Sequence, residues 1–290
     1  SDGWTADTSI DYLLAVKRGG NLTIEDSVGT GVIDAEDLVC GVKMTVKGEP
    51  ETGDNAVLTV NGGTIQGKYY GISGNGTRHG TKITINGGTI ASIDKEGTAI
   101  YHPQDGFLTV NDVEIKSSNT AIEIRSGTLT VTGGTITGGT LTGGAALYES
   151  DPNNIYEDDK SVTKPAIEVT GGTFNGAVSS DNVIDFIAGG TFTKTVAEEL
   201  LADGCKLDVS GKVVPAEDSV AAIGSKGYHS LEEAVEAAQP GDTITLLKDA
   251  TISSYITLDD ANVVLDGGNH KLTCNSEGLH GAIDVTADNV

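Results

Sequence analysis

One phrase recurs along this chain and leaves it few folds to adopt. It reads Leu58-Thr59-Val60-Asn61-Gly62-Gly63-Thr64-Ile65, returns at 83–90, is degraded at 108–115, and returns again at 129–136 and 167–174. Gly189-Gly190-Thr191-Phe192 is a shorter echo. Apolar and polar residues alternate up to the Gly-Gly pair and alternate again after it. That is the pattern of one strand, a sharp corner and a second strand. Repetition at about 18 to 25 residues builds a stacked solenoid, not a globular sheet.

A third strand carries a different mark, a small residue followed by an aliphatic one. It reads Ala15-Val16, Gly41-Val42, Gly71-Ile72, Ala99-Ile100, Ala121-Ile122 and Ala146-Leu147. Three strands per turn, all wound the same way, predict an all-β, right-handed parallel β-helix solenoid. Period-two alternation then assigns the faces. Leu58, Val60, Ile83, Ile85, Leu108, Val110, Leu129 and Val131 point inward, with Ile65, Ile90, Ile115 and Ile136. So do Val16, Val42, Ile72, Ile100, Ile122 and Leu147 of the third strand. Thr59, Thr84, Thr109 and Thr130 form one outward column. Lys17, Lys43, Ser73, Tyr101, Glu123 and Tyr148 form another, with Thr45, Asn75, Pro103 and Arg125 beside it.

Composition fits that scaffold and narrows its partners. Forty glycines and 4% aromatics suit short strands, tight corners and a core of Val, Ile and Leu. A net charge of −24 argues against nucleic acid, whose phosphates need Lys and Arg, and against an anionic membrane surface. It fits a protein secreted or held at a cell surface. No apolar run reaches the ~18 residues of a membrane helix, so no membrane insertion is expected. Cys40, Cys205 and Cys274 lie far apart without metal-ligand spacing, and we expect lone buried thiols.

The phrase fades after Phe192. We therefore place one β-helix at 1–195, a cap and linker at 196–219, and a second unit at 220–290. The cap holds a short helix at 196–202 and a hairpin at 206–214 turning on Ser210-Gly211. In the second unit Ser230 and Glu233 form a capping box that opens a helix at 230–239. Strands are expected at 243–247, 255–258, 263–265 and 282–285, with Asp266-Gly267-Gly268 repeating the corner. The sequence starts Ser1-Asp2-Gly3, without an initiator Met, and ends at Asp288-Asn289-Val290 within a strand-like pattern. We read it as a mature or excised piece of a longer protein, able to associate end to end through uncovered strand edges.

Gly227-Tyr228-His229-Ser230-Leu231-Glu232-Glu233-Ala234-Val235, followed by Pro240-Gly241-Asp242-Thr243-Ile244, resembles the start of a β-helix of the pectin-lyase type. The resemblance implies an amphipathic helix that plugs one end of a coil. The Gly-Gly-Thr coils are similar to repeat regions of secreted surface proteins of anaerobic Gram-positive bacteria. Such folds carry lyases, hydrolases, adhesins and passive stalks alike, so function must come from a site.

The most site-like constellation lies on the third strand. Rungs about 4.8 Å apart put Tyr101 and Tyr148 roughly 10 Å apart, with Glu123 between them and Arg125 beside it. Aromatic rings and charged groups in that arrangement suit a sugar. His102 and Glu149 stand next to it in sequence. The insert at 140–164 holds Asp151, Asn153, Glu157, Asp158 and Asp159, oxygen ligands for calcium, but in no EF-hand or β-roll spacing. No other cofactor is expected. The Thr column offers one Thr per rung, thinner than the paired arrays of ice- or crystal-binding surfaces. Glu123 and Glu149 could approach the carboxylate separation of a glycosidase, but their Lys and Tyr neighbours fit salt bridges as well, and no Asp cluster of the pectate-lyase kind stands in 10–195. The expected function is a non-catalytic surface module, an adhesin or binder of host or plant glycans or of a surface protein. A polysaccharide lyase or glycoside hydrolase fragment and a purely structural stalk are the alternatives.

Overall fold

The computed structural model describes residues 11–44, 55–74, 80–139, 143–150, 165–260, 262–275 and 282–286. They form two compact units. One comprises 1–186 with 190–200, the other 187–189 with 201–290.

The first unit is a parallel β-helix. Three parallel sheets run along it; six coils contribute one strand to each, and the last contributes to sheets A and C alone. Sheet A takes Tyr12–Val16, Cys40–Met44, Tyr70–Ser73, Thr98–His102, Thr120–Ile124, Leu147–Glu149 and Val178–Ser180. Sheet B takes Asn21–Ile24, Ala56–Val60, Thr81–Ile85, Gly106–Val110, Thr128–Val131 and Ala166–Val169. Sheet C takes Val32–Ala35, Thr64–Gly67, Thr89–Ser92, Glu114–Lys116, Thr135–Thr137, Thr173–Asn175 and Thr191–Phe192. The repeated phrase supplies the B strand, the corner and the C strand. The small-aliphatic pair supplies the A strand.

Register stacks like on like. Leu58, Ile83, Leu108 and Leu129 pair in succession in sheet B, and Ile65, Ile90, Ile115 and Ile136 in sheet C. All eight are at most 1% exposed. Burial of each such side chain contributes about 1.5 to 3 kcal/mol. Sheet C ends on Phe174 and Phe192, whose rings stack 4.8 Å apart. Outside the B–C corner, Asn86 Nδ2 donates to Asn61 Oδ1 (2.8 Å), Asn111 Nδ2 to Asn86 Oδ1 (2.7 Å), and Thr132 Oγ1 to Asn111 Oδ1 (2.7 Å). A polar ladder thus ties successive coils where the core cannot reach.

The corner explains the second glycine. Gly63, Gly88, Gly134, Gly172 and Gly190 all have φ between +80° and +103°. A Cβ on Gly88 would also stand 2.3 Å from the Gly63 carbonyl oxygen. The degraded phrase departs here: Asp112 and Val113 replace the glycines without positive φ, and Val113 is buried.

The small residue of sheet A marks a bend. Ala99 and Ile100 are consecutive, yet both are fully buried, as are Ala121-Ile122 and Ala146-Leu147. Pairing runs Thr98 with Thr120 and Ile100 with Ile122, passing over the small residue. The Gly71 position leaves no room for more: a Cβ there would meet Ile90 Cγ2 at 2.7 Å. Alternation therefore breaks once per coil, and the residue before the small one shares the outer side with the residue after the aliphatic one.

Three local expectations need correction. Lys17 lies past its strand, because Leu14 pairs with Val42 and Ala15 with Lys43. The first coil lacks the phrase that would have set its register. The helix expected at 196–202 is a single 3-10 turn, Glu198–Leu200. Its neighbourhood spends its carbonyls and amides elsewhere: Glu199 and Leu200 accept from Asp185 and Phe186, and Ala202 donates to Ile187. Of the three cysteines only Cys40 is buried; Cys205 is half-buried and Cys274 exposed.

In the second unit Cys205–Leu207 pairs antiparallel with Val213–Pro215. Ala221–Ile223 pairs antiparallel with Lys226–Tyr228 and with Thr243–Leu246. Helix α1, Leu231–Ala237, is shorter than expected. Ser230 Oγ accepts from the Glu233 amide (3.1 Å), and Glu233 Oε2 accepts from the His229 amide (2.9 Å). Leu231 and Ala234 pack it onto Ala221, Ile244, Leu246, Ile252 and Ile256. Thr243–Leu246, Ala250–Ile252 and Ile256–Leu258 then pair in parallel with Val264–Asp266, Leu272–Cys274 and Ile283–Val285. Three strands paired one for one with the next three make two turns of a coil.

Candidate functional site

The outer side of sheet A carries a column of mixed chemistry. Ser73, Tyr101, Glu123 and Tyr148 are register partners in that order, and Lys43 pairs with Ser73 on the other side. Alternation places them outward, and a rung of about 4.8 Å separates each from the next. Arg125 follows Ile124, its amide bonded to the His102 carbonyl (3.0 Å).

Tyr101, Glu123, Arg125 and Tyr148 therefore share one half-buried face, and their polar ends are engaged. Arg125 Nη1 donates to Tyr101 Oη (3.3 Å). Ser150 Oγ donates to Glu123 Oε1 (2.8 Å), and Tyr148 Oη to Asp181 Oδ2 (2.9 Å). Burial pushes the Glu123 carboxyl up, against the pull of Ser150 and Arg125. Burial also raises the Tyr101 phenol, opposed by Arg125. Tyr148 is pushed up to about 12 by burial, by its bond to Asp181, and by the charges of Asp181, Glu123 and Glu149.

His102 and Glu149 belong to the inner side. They lie on either side of Ile124 in the register, both fully buried. Two steps beyond Ile100, His102 takes the inward phase of the strand. Its Nδ1 lies 3.0 Å from Gln104 Nε2, which also donates to Thr81 Oγ1 (3.1 Å). Burial lowers its pKa to about 4. Glu149 Oε2 accepts from Ser180 Oγ (2.6 Å) and from the amides of Asp181 and Asn182 (2.8 Å each). Its role is to close the turn at 180–182, not to reach out. Asp151, Asn153, Glu157, Asp158 and Asp159, the calcium candidates, lie outside the described residues. Among the described residues no group of three or more His, Cys, Asp or Glu side chains is placed to hold a metal ion.

The bend adds residues that sequence alternation misses. Tyr70 stacks on Tyr101 with ring centroids 5.6 Å apart and 26° between planes. Ser73 Oγ accepts from Lys43 Nζ (3.2 Å) and donates to Cys40 Sγ (3.4 Å). Lys43 Nζ also reaches the Gly74 carbonyl, and burial lowers its pKa. Lysine, serine and thiol in contact look like nucleophile and base, but Ser73 is 1% exposed and Cys40 2%, so no substrate reaches them here. Alternation makes Lys43 and Ser73 neighbours in the outward column; only Cys40 needs the bend, which the small-aliphatic pair marks.

No family model, no curated protein and no solved structure matches this chain.

Proposed function

We propose that the chain is a non-catalytic binding module whose sheet A face takes a carbohydrate, in a secreted or cell-surface protein. The supporting observation is the column Tyr101–Glu123–Tyr148, extended by Tyr70 and flanked by Arg125. Rings set on a rigid sheet supply stacking area at little entropic cost, and the carboxylate and guanidinium supply polar selectivity. The Gly-Gly-Thr coils and the helix-then-strand opening of the second unit support assignment to the pectin-lyase type of β-helix. They also favour an origin in a surface protein of an anaerobic Gram-positive bacterium. Glycans of a host or of plant material are the partners this reading implies.

One observation favours a structural stalk instead. The polar groups of the face bond to one another, and a ligand would have to replace those bonds. A glycan and mucin array separates the two readings, run with the chain and with a Tyr101→Ala/Tyr148→Ala variant. Selective binding lost in the variant supports the face. No binding by the unmodified chain leaves the stalk. Binding that survives the double change moves the search to the 140–164 insert.

A further inference from the structure

A separate cleft lies in the second unit. Asp203, Lys226, Tyr228, His229, Glu233 and Glu236 line a cavity of about 300 Å³. Small-ligand sites run from roughly 300 to 1,000 Å³, so this one suits an amino acid or a dipeptide, not an oligosaccharide.

The charges in it are unevenly committed. Glu233 Oε2 holds the His229 amide (2.9 Å), and Asp203 Oδ1 takes the Gly204 amide (3.0 Å). His229 Nδ1 lies 3.5 Å from Asp218 Oδ2. Lys226 Nζ stands 5.5 Å from the centre of the Tyr228 ring. Among the described residues neither Lys226 nor Glu236 forms an ion pair. That is unusual company for a lysine. The chain has 42 acidic residues against 18 Lys and Arg, and three of those acids line the same cleft. Glu233 and Glu236 sit one turn apart on α1, on the side that faces the cleft. A half-buried lysine and the exposed, uncommitted Glu236 thus line one small cavity, with the Tyr228 ring and Ala237 as its apolar part.

We propose that this cleft binds a small zwitterion, a free amino acid or dipeptide, whose carboxylate pairs with Lys226 and whose ammonium pairs with Glu236. A simple anion would meet three carboxylates, and a simple cation would meet Lys226. Only a ligand with both charges satisfies both uncommitted groups. Charge-assisted hydrogen bonds of this kind are about twice as strong as neutral ones.

Backbone amide NMR shifts of the full chain test it, with diglycine, L-lysine and L-glutamate as zwitterionic probes. N-acetylglycine and ethylammonium serve as single-charge controls. Saturable shifts at Lys226, Gly227 and Glu236 are expected with zwitterions. Affinity should fall about tenfold or more in Lys226→Met and in Glu236→Gln. Both side chains are outside the core, and unchanged amide spectra away from the cleft confirm that each variant folds. Three results would overturn the proposal. One is no saturable shift with any zwitterion at millimolar concentration. Another is N-acetylglycine or ethylammonium binding as well as diglycine. The third is zwitterion binding that Lys226→Met leaves unchanged, which would reduce the cleft to an acidic patch.

Discussion

Sheets A and B are built from the same coils, yet their outer sides have little in common. Outward on sheet B, Thr23, Thr59, Thr84, Thr109 and Thr130 stand in one register column. Outward on sheet A the corresponding column reads Ala15, Lys43, Ser73, Tyr101, Glu123 and Tyr148. The inner sides are aliphatic in both, apart from Thr81 in sheet B and His102 and Glu149 in sheet A. Stacking therefore demands little of the outer side, and Thr is what a strand accepts by default. Stacking does not require the departures from that default, in the column of sheet A or in the row beside the Thr column of sheet B. The bend separates the sheets further: it folds a second row of residues, Tyr70 and Cys40 among them, toward the outer column of sheet A. Sheet B keeps strict alternation: beside its Thr column, which ends on Glu168, runs a second outward row of Asn21, Val57, Lys82, Phe107 and Thr128.

The largest effect should come from the side the sheets share. Ile100→Ala removes a fully buried side chain from between Ile72 and Ile122 and should cost about 2 to 5 kcal/mol. Thr109→Ala on the outer side of sheet B should stay within about 0.5 kcal/mol. Urea unfolding of both variants measures this. Equal losses would mean that the Thr column carries the coil, and the contrast between inside and outside would fail.

The next effect is a pH dependence confined to sheet A. His102 has a pKa of about 4 in the folded chain against 6.5 for an unperturbed histidine. Between those values the unfolded chain binds the extra proton, so stability rises with pH. The contribution is fully present above pH 6.5 and is lost as pH falls toward 4, by about 3 kcal/mol. Urea unfolding at pH 7 and pH 4.5, compared with His102→Leu, isolates it from the carboxylates. A variant that loses stability in parallel with the unmodified chain would show that His102 charges without cost.

The corner should respond less. Gly88→Ala forces a side chain into φ +89°, against the Gly63 carbonyl, and should cost about 1 to 3 kcal/mol by thermal unfolding. The same experiment sharpens what was legible in the sequence. The coil was legible because two local signals, Gly-Gly and small-aliphatic, recur with the same geometry at every turn. Register was legible wherever both signals were present, and it slipped by two residues at Lys17, where the phrase is missing. The outer column of sheet A followed from alternation; His102 was grouped with that site, although alternation, two positions after Ile100, turns it inward. The adjacency of Lys43 and Ser73 followed as well, but Tyr70 and the contact of Cys40 with Ser73 did not, because the bend interrupts alternation and strict period-two counting cannot register it. The second unit's cleft was illegible for another reason. Asp203, Lys226 and Glu236 meet through a hairpin and a helix that share no repeat, so no spacing announces them.

The smallest effect is spectroscopic, and it asks whether the sheet A face is tied together as its geometry indicates. Tyr148 is held near a pKa of about 12 by burial first and then by its bond to Asp181 and the surrounding carboxylates. The phenol donates to Asp181 Oδ2, and that bond favours the neutral form. Asp181→Asn removes a negative charge and weakens the acceptor, so Tyr148 should ionise at lower pH. Tyr148→Phe should delete that high-pH transition from an ultraviolet titration. Thr130→Ala, in the Thr column of sheet B, should leave the titration unchanged. If Asp181→Asn leaves the high-pH transition in place, burial alone holds the phenol, and the Tyr148–Asp181 bond does not organise the face. If the transition moves down, the ring that would stack on a sugar is held in place by a carboxylate of the next coil. Ligand affinity should then fall in Asp181→Asn although Asp181 itself need touch no ligand.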